Sequence, residues 1–217
     1  MYVILNKRNG SIRPNSTMPR RRQPETTRRR LLQAAFREFH RSGFSAADVD
    51  TILDEAGVTK GALYHHFQSK KGLGYAVVDE VLRDWILERW QRPISAASDP
   101  IAALMELVAW AVRHSDNESL ALGCPLNNLT QEMAGRDAGF RVRLAEIYSD
   151  WRSGLRGALD RAKERKLVRS DVDSAGAAAL IVAAWEGSIG LAKADPLSDS
   201  VEECRRGLES FLVALRP

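Results

Sequence analysis

The chain has 217 residues, 44% of them apolar and 28% charged, enough for one or two globular domains with a sizeable core. Its net charge of +4 is unevenly spread: nine Lys and Arg against Glu25 give the first thirty residues +8, leaving −4 on the remainder. Two scattered cysteines, Cys124 and Cys204, exclude a disulfide framework or a four-ligand zinc site and suit a reducing cytoplasm; no secretion signal, convincing membrane span, glycine-rich phosphate loop or metal motif is present, so no cofactor is expected.

Residues 1–24 lack sustained periodicity and carry Pro14, Pro19 and Pro24, which predicts a basic, disordered tail; translation could start at Met1 or at Met18. From Arg28 the apolar residues Leu31, Leu32, Ala35, Phe36 and Phe39 recur at helical steps, and Gly43 ends that helix. Ser45 and Asp48 have the spacing of a capping box for a second helix, with Val49, Ile52, Leu53 and Ala56 inward. Gly57 stops it, Val58 fills the corner, and Thr59 caps a third helix from Lys60 to about His66. That helix turns Leu63 and Phe67 inward and Lys60, Ala62, Tyr64 and His65 outward. Two helices joined by a short glycine-containing turn form the pattern whose second helix enters the DNA major groove.

After Ser69-Lys70-Lys71 a longer helix is expected to about Trp90, using Leu73, Val77, Val78, Val81, Leu82, Trp85 and Ile86. Pro93 and Asp99-Pro100 punctuate the chain before a helix from Ile101 to His114, and Gly123-Cys124-Pro125 breaks the pattern again. Further helices are predicted around Leu126 to Met133, from about Asp137 to Arg165, from Asp173 or Ser174 through Ala192, and from Ser200 to Leu215. The expectation is an all-α chain of about nine helices, with a DNA-reading unit over 25–71 and a helical domain over 72–217. The helix through Ala175 to Ala192 is apolar on every side, and with the last helix it forms the candidate homodimer surface, a four-helix bundle in which Gly176, Gly187 and Gly190 permit close approach.

The run Ala56-Gly57-Val58-Thr59-Lys60-Gly61-Ala62-Leu63-Tyr64-His65-His66-Phe67, followed by Ser69-Lys70, resembles the TetR family of bacterial repressors, and the likeness covers roughly Arg28 to Leu73. It implies a homodimer on a palindromic double-stranded operator, with Lys60, Ala62, Tyr64 and His65 facing the groove and Thr59 and Lys70 on phosphates. One departure stands out: the family usually carries hydroxyls at the positions of Ala47 and Asp48.

The same resemblance implies a variable helical domain that dimerises and holds a small-molecule effector. Trp110, His114, Cys124, Asn127, Asn128, Gln131, Tyr148, Trp151 and Trp185 lie on segments that line the pocket in similar proteins, although aromatic residues at helical spacing also fill cores. Gly123-Cys124-Pro125-Leu126 resembles a subgroup in which a cysteine here answers to electrophiles or oxidants. A thiol just before a helix can have its pKa lowered by the amide dipoles, against which stands a buried, inert cysteine. The rival reading is an enzyme with Cys124 as nucleophile and His114 as base, but nothing in the sequence orients that pair.

Overall fold

The computed structural model describes residues 24–217, and the basic tail with its two possible starts lies outside the described residues. Among the described residues there are helices and no strand. The first helix, α1 (Pro24–Ser42), begins at Pro24 with Glu25 in its first turn, and buries Leu31, Leu32, Ala35, Phe36 and Phe39.

The second helix, α2 (Val49–Ala56), starts later than the expected capping box at Ser45. Asp48 is the N-cap, its carboxylate accepting the Asp50 N–H at 3.1 Å. Ser45 is claimed by other partners: its N–H donates to Glu132 at 2.7 Å, while the Lys70 ammonium donates to the carbonyls of Ser45 and Ala47 at 3.2 and 2.6 Å. The stretch before α2 is therefore a turn braced by two distant side chains. Gly57 ends α2 at φ 60°, where a side chain would also meet Arg30. After it comes α3 (Lys60–Phe67), with Thr59 Oγ1 accepting the Ala62 N–H and with Leu63 and Phe67 buried.

One uninterrupted rod, α4, spans residues 70–96, so Pro93 does not end it. Two stretches of this rod, Val78–Leu82 and Leu87–Gln91, have wide π turns. Their cause is visible in the buried residues Val78, Leu82, Ile86, Trp90 and Ile94, which recur at strict fours. In a regular α-helix each four-residue step precesses by about 40°, so the fifth residue would face roughly 160° from the first. The wide turns unwind the rod and hold all five on one side. The second also lies just ahead of Pro93, whose ring and missing N–H a regular turn accommodates badly.

Beyond the rod come α5 (Pro100–Arg113), α6 (Asn117–Leu122), α7 (Pro125–Met133), α8 (Ala138–Glu164), α9 (Ser174–Ala194) and α10 (Ser200–Ala214). The expected helices are present, and α6 is an addition that periodicity could not reveal, since it buries no residue and is set by the Asp116–Ser119 capping box. The long α8 runs through the core, burying Phe140, Leu144, Ile147, Trp151, Leu155 and Leu159. Trp90 sits between Trp151 and Trp185, with ring centroids at 5.6 and 4.6 Å.

The DNA-reading unit is welded to this body by aromatic rings. Phe39 meets Phe44, Phe44 meets Phe140 and Phe140 meets Tyr75 edge-on, at 5.2, 4.7 and 5.0 Å. The α4 backbone passes so near that a Cβ on Gly74 would come within 2.6 Å of Phe44 and 2.8 Å of Phe140.

On α9 one face packs inward through Ala178, Ile181, Val182, Trp185 and Ile189. The opposite face, Gly176, Leu180, Ala183, Gly187, Gly190 and Leu191, is exposed.

Candidate DNA interface and effector cavity

The outward face of α3 carries exposed Thr59, Lys60, Gly61, Tyr64 and His65, with Ala62 half-buried beside them. Tyr64 is 46% exposed, unusual for so large a ring. Thr59 caps the helix through its oxygen, which leaves its O–H free to donate. Lys70 is placed differently from expectation. Its ammonium is turned into the protein, on the Ser45 and Ala47 carbonyls and 5.2 Å from the centre of the Phe44 ring. A phosphate ligand needs that charge facing outward, so the observed role of Lys70 is to brace the turn ahead of α2. Arg28 is also committed internally, in a bidentate pair with Glu80 and over the Phe67 ring.

Behind this unit a cavity of about 130 Å³ opens between α4, α5, α6 and α9. Trp85, Arg89 and Trp90 come from the rod, Ser115 and Ser119 from the α5–α6 corner, and Cys124 and Trp185 close the wall, with His40 reaching in from α1. Its volume approaches the roughly 150 Å³ of an apolar cavity that admits a benzene-sized guest. The Arg89 guanidinium lies 5.4 Å from the Trp85 ring centre and 5.0 Å from that of Trp110.

Of the residues expected to line a pocket, Cys124 and Trp185 do so. Trp110 and His114 stack on each other at 4.5 Å outside the lining, with His114 Nδ1 2.8 Å from the Trp110 carbonyl. Asn128 is structural: its amide donates to the Leu122 carbonyl at 2.7 Å and its oxygen accepts from Lys193 at 2.8 Å, which fixes the α6–α7 turn. Trp151 is core, and Tyr148 stands behind the wall, where burial raises its phenol. The pairing of Cys124 with a His114 base is not found.

The partner of Cys124 is Glu186, which sequence reading passed over. The thiol donates to Glu186 Oε1 at 3.3 Å, and Glu186 Oε2 is buried without a hydrogen-bond partner. Burial pushes the Glu186 carboxyl up to about 7, with the thiol hydrogen bond pulling weakly the other way. Burial, then the Glu186 charge, drive the Cys124 thiol well above its ordinary value. The amides of Asn127 and Leu126 at the start of α7 do lower it, as the helix argument requires, but they do not prevail. Of the two readings of this thiol, a lowered pKa and a buried cysteine, it is the second that the raised pKa favours.

Two polar links join the cavity region to the DNA-reading unit. His40 Nε2 lies 2.8 Å from the carbonyl of Gly123, next to Cys124. The Glu132 carboxylate on α7 accepts the N–H groups of Phe44 and Ser45, both at 2.7 Å. Burial lowers the His40 imidazole, with the Gly123 carbonyl opposing and the Lys193 charge adding to the shift. For Glu132 burial acts upward, but the bonds from Ser45 and Phe44 outweigh it and hold the carboxyl below its ordinary value.

Residues 31–77 match the family described as bacterial regulatory proteins, tetR family, and residues 100–208 match the tetracyclin repressor-like C-terminal domain. An uncharacterized HTH-type transcriptional regulator in the lacX 3' region of Lactococcus lactis subsp. lactis is 29% identical over 167 residues, 77% of this chain and 83% of that protein. The HTH-type transcriptional repressor DhaR of Mycobacterium sp. (strain GP1) is 26% identical over 193 residues, 87% of this chain and 89% of that one. Among solved structures, a TetR-family transcriptional regulator from Cytophaga hutchinsonii superposes with a TM-score of 0.78 at 20% identity, over 89% of this chain and 96% of that chain, a likeness of fold.

Proposed function

The chain belongs to the TetR family of bacterial transcriptional regulators, and from that premise we propose that it is a cytoplasmic, homodimeric repressor of a palindromic operator, released when a small molecule or electrophile occupies the cavity behind its DNA-reading unit. The observation that carries the reading is a juxtaposition. A recognition helix with an uncovered Lys60–Tyr64–His65 face belongs to a unit whose first helix is tied by His40 to the wall of a cavity sized for a small guest. Thr59 and backbone amides near the α3 start contact phosphate, and Lys60, Ala62, Tyr64 and His65 meet the groove.

The homodimer forms through α9 and α10. Support comes from the exposed apolar face of α9, where a Cβ added to Gly187 or Gly190 would meet nothing within 4 Å, leaving room for a partner helix to approach closely. Two-fold symmetry then sets two reading heads about 34 to 36 Å apart, one turn of duplex or a multiple.

Footprinting on the DNA flanking its own gene tests this. A protected, symmetric sequence is expected, with Tyr64→Ala weakening it by about tenfold or more, in line with the 1–3 kcal/mol of a groove contact. Binding that is equally tight to any duplex would overturn the operator reading.

A further inference from the structure

We propose that Glu186 is the proton acceptor that enables Cys124 to add to a small α,β-unsaturated carbonyl compound in the cavity. This rests on the reading of the cavity as the effector site and names both the ligand class and the residue that makes the chemistry possible. Three observations converge. Cys124 forms part of the wall, its thiol is directed at Glu186 Oε1, and the other carboxylate oxygen has no partner at all. A buried carboxylate without a donor on one oxygen is costly, and Glu186 is only 7% exposed.

The thiol here is not pre-ionised, so nucleophilic sulfur must be generated as the bond forms. In the step, Cys124 Sγ bonds to the β-carbon of the acceptor while its proton passes to a Glu186 oxygen. The C=C electron pair moves onto the carbonyl as an enolate. Glu186 then returns the proton to the α-carbon. The product is a neutral thioether, the carboxylate is regenerated, and no external oxidant or reductant is needed. The titratable group that acts on Glu186 is the Cys124 thiol, from the turn before α7, while the Tyr148 phenol on α8 feels the Glu186 charge; among the described residues, no charge from α6 or α10 contributes to the Glu186 shift. Its carboxyl at about 7 is about half ionised at neutral pH, as a general base for this step should be.

Addition also removes the S–H that bonds Glu186. Both carboxylate oxygens are then without a donor in a buried place, and the Gly123–Pro125 turn, whose Gly123 carbonyl lies on His40, is under strain to rearrange. The adduct is thus coupled to the first helix of the DNA-reading unit.

The test uses the full-length protein carrying Cys204→Ser, with methyl vinyl ketone as probe, adduct formation followed by intact mass and operator binding by fluorescence anisotropy between pH 5.5 and 9.5. Expected are an adduct on Cys124 whose rate rises through an inflection near 7, and loss of operator binding that tracks it. Glu186→Gln should slow addition at least tenfold at pH 7.5 and move the inflection to the alkaline range of the thiol, with Glu186→Asp recovering part of the rate. Addition to Glu186→Gln that is equal or faster would overturn the proposal, because Glu186 would then only suppress the thiol. If Glu186→Gln does not fold, the parent profile decides: a rate that keeps climbing to pH 9.5 with no inflection near 7 means direct thiolate attack and overturns it. Absence of any Cys124 adduct also overturns it, yet leaves the cavity reading intact if a non-covalent guest still releases the operator; operator binding indifferent to every cavity guest removes that underlying reading as well.

Discussion

Glu132 and Ser45 are 87 residues apart, yet the Glu132 carboxylate accepts the Ser45 N–H at 2.7 Å and the neighbouring Phe44 N–H at the same distance. This single side chain ties α7, which begins at the cavity wall, to the turn that positions α2. Glu132→Ala should cost about 1–3 kcal/mol, since two amides lose a charged acceptor, and should weaken operator binding more than Glu132→Gln, which keeps one acceptor oxygen. Thermal unfolding and anisotropy check both. Because its folded pKa lies below the ordinary value of 4.5, the contribution of Glu132 is complete above that pH and is lost only as acidification passes through the folded value.

His40 and Glu186 pull stability in opposite directions with pH. The folded chain holds His40 neutral below its ordinary 6.5, so the unfolded chain takes up a proton first and stability falls as pH drops below about 6.5. Glu186 is raised from 4.5 to about 7, so its contribution is complete below 4.5 and is lost as pH rises through 7. Glu186→Gln should therefore raise the melting temperature at pH 8 and not at pH 4.5, and His40→Gln should flatten the decline between pH 6.5 and 5. Melting temperatures of the two variants across pH 4.5–8 read each effect separately, and equal shifts at both ends would contradict the assignment.

At the start of α2, Asp48 performs the capping that a hydroxyl could also supply, but it adds a negative charge beside the face expected to meet phosphates. Asp48→Ser keeps an N-cap and removes that charge. Operator affinity at low salt is expected to rise by about threefold to tenfold, with a steeper salt dependence, while the melting temperature changes little. A decrease in affinity would show that the carboxylate is needed for more than capping.

Leu180 and Gly187 lie on the exposed face of α9, whereas Trp185 is buried against Trp90 in the cavity wall. Gly187→Glu should convert a dimer to folded monomers, because the new carboxylate meets nothing in its own chain and would be buried unpaired, at a cost of several kcal/mol, only in the bundle. Trp185→Glu should instead destabilise the fold itself. Sedimentation with circular dichroism separates the two, and a Gly187→Glu dimer of unchanged affinity would move the interface elsewhere.

The reading unit was legible because its signals are local: Gly57, Thr59 and the inward Leu63 and Phe67 act within one or two turns. The Ser45 capping box failed for the opposite reason, since Glu132 and Lys70 reach that turn from far along the chain. The cavity was half legible. Cys124 and Trp185 could be named from their segments, but Trp110 shares α5 with Ala111 and His114 follows its last residue, and periodicity does not say which side faces a space. Glu186 was hidden by its surroundings, one carboxylate in an apolar helix whose importance depends on a cysteine 62 residues away.

The wide turns in α4 have a consequence for how this protein tolerates change in length. Each one spreads an extra residue over a turn, which lets Trp85 and Trp90, five positions apart, both reach the same cavity, although a regular helix would set them roughly 140° apart. Deleting the exposed Glu88 would remove that extra residue and restore ideal winding while leaving everything beyond it on its present face. Trp90 would stay between Trp151 and Trp185, and Ile94 would stay with it. Adding a residue to a turn that is already wide would instead rotate the remainder by about 100° and carry both side chains out of the core.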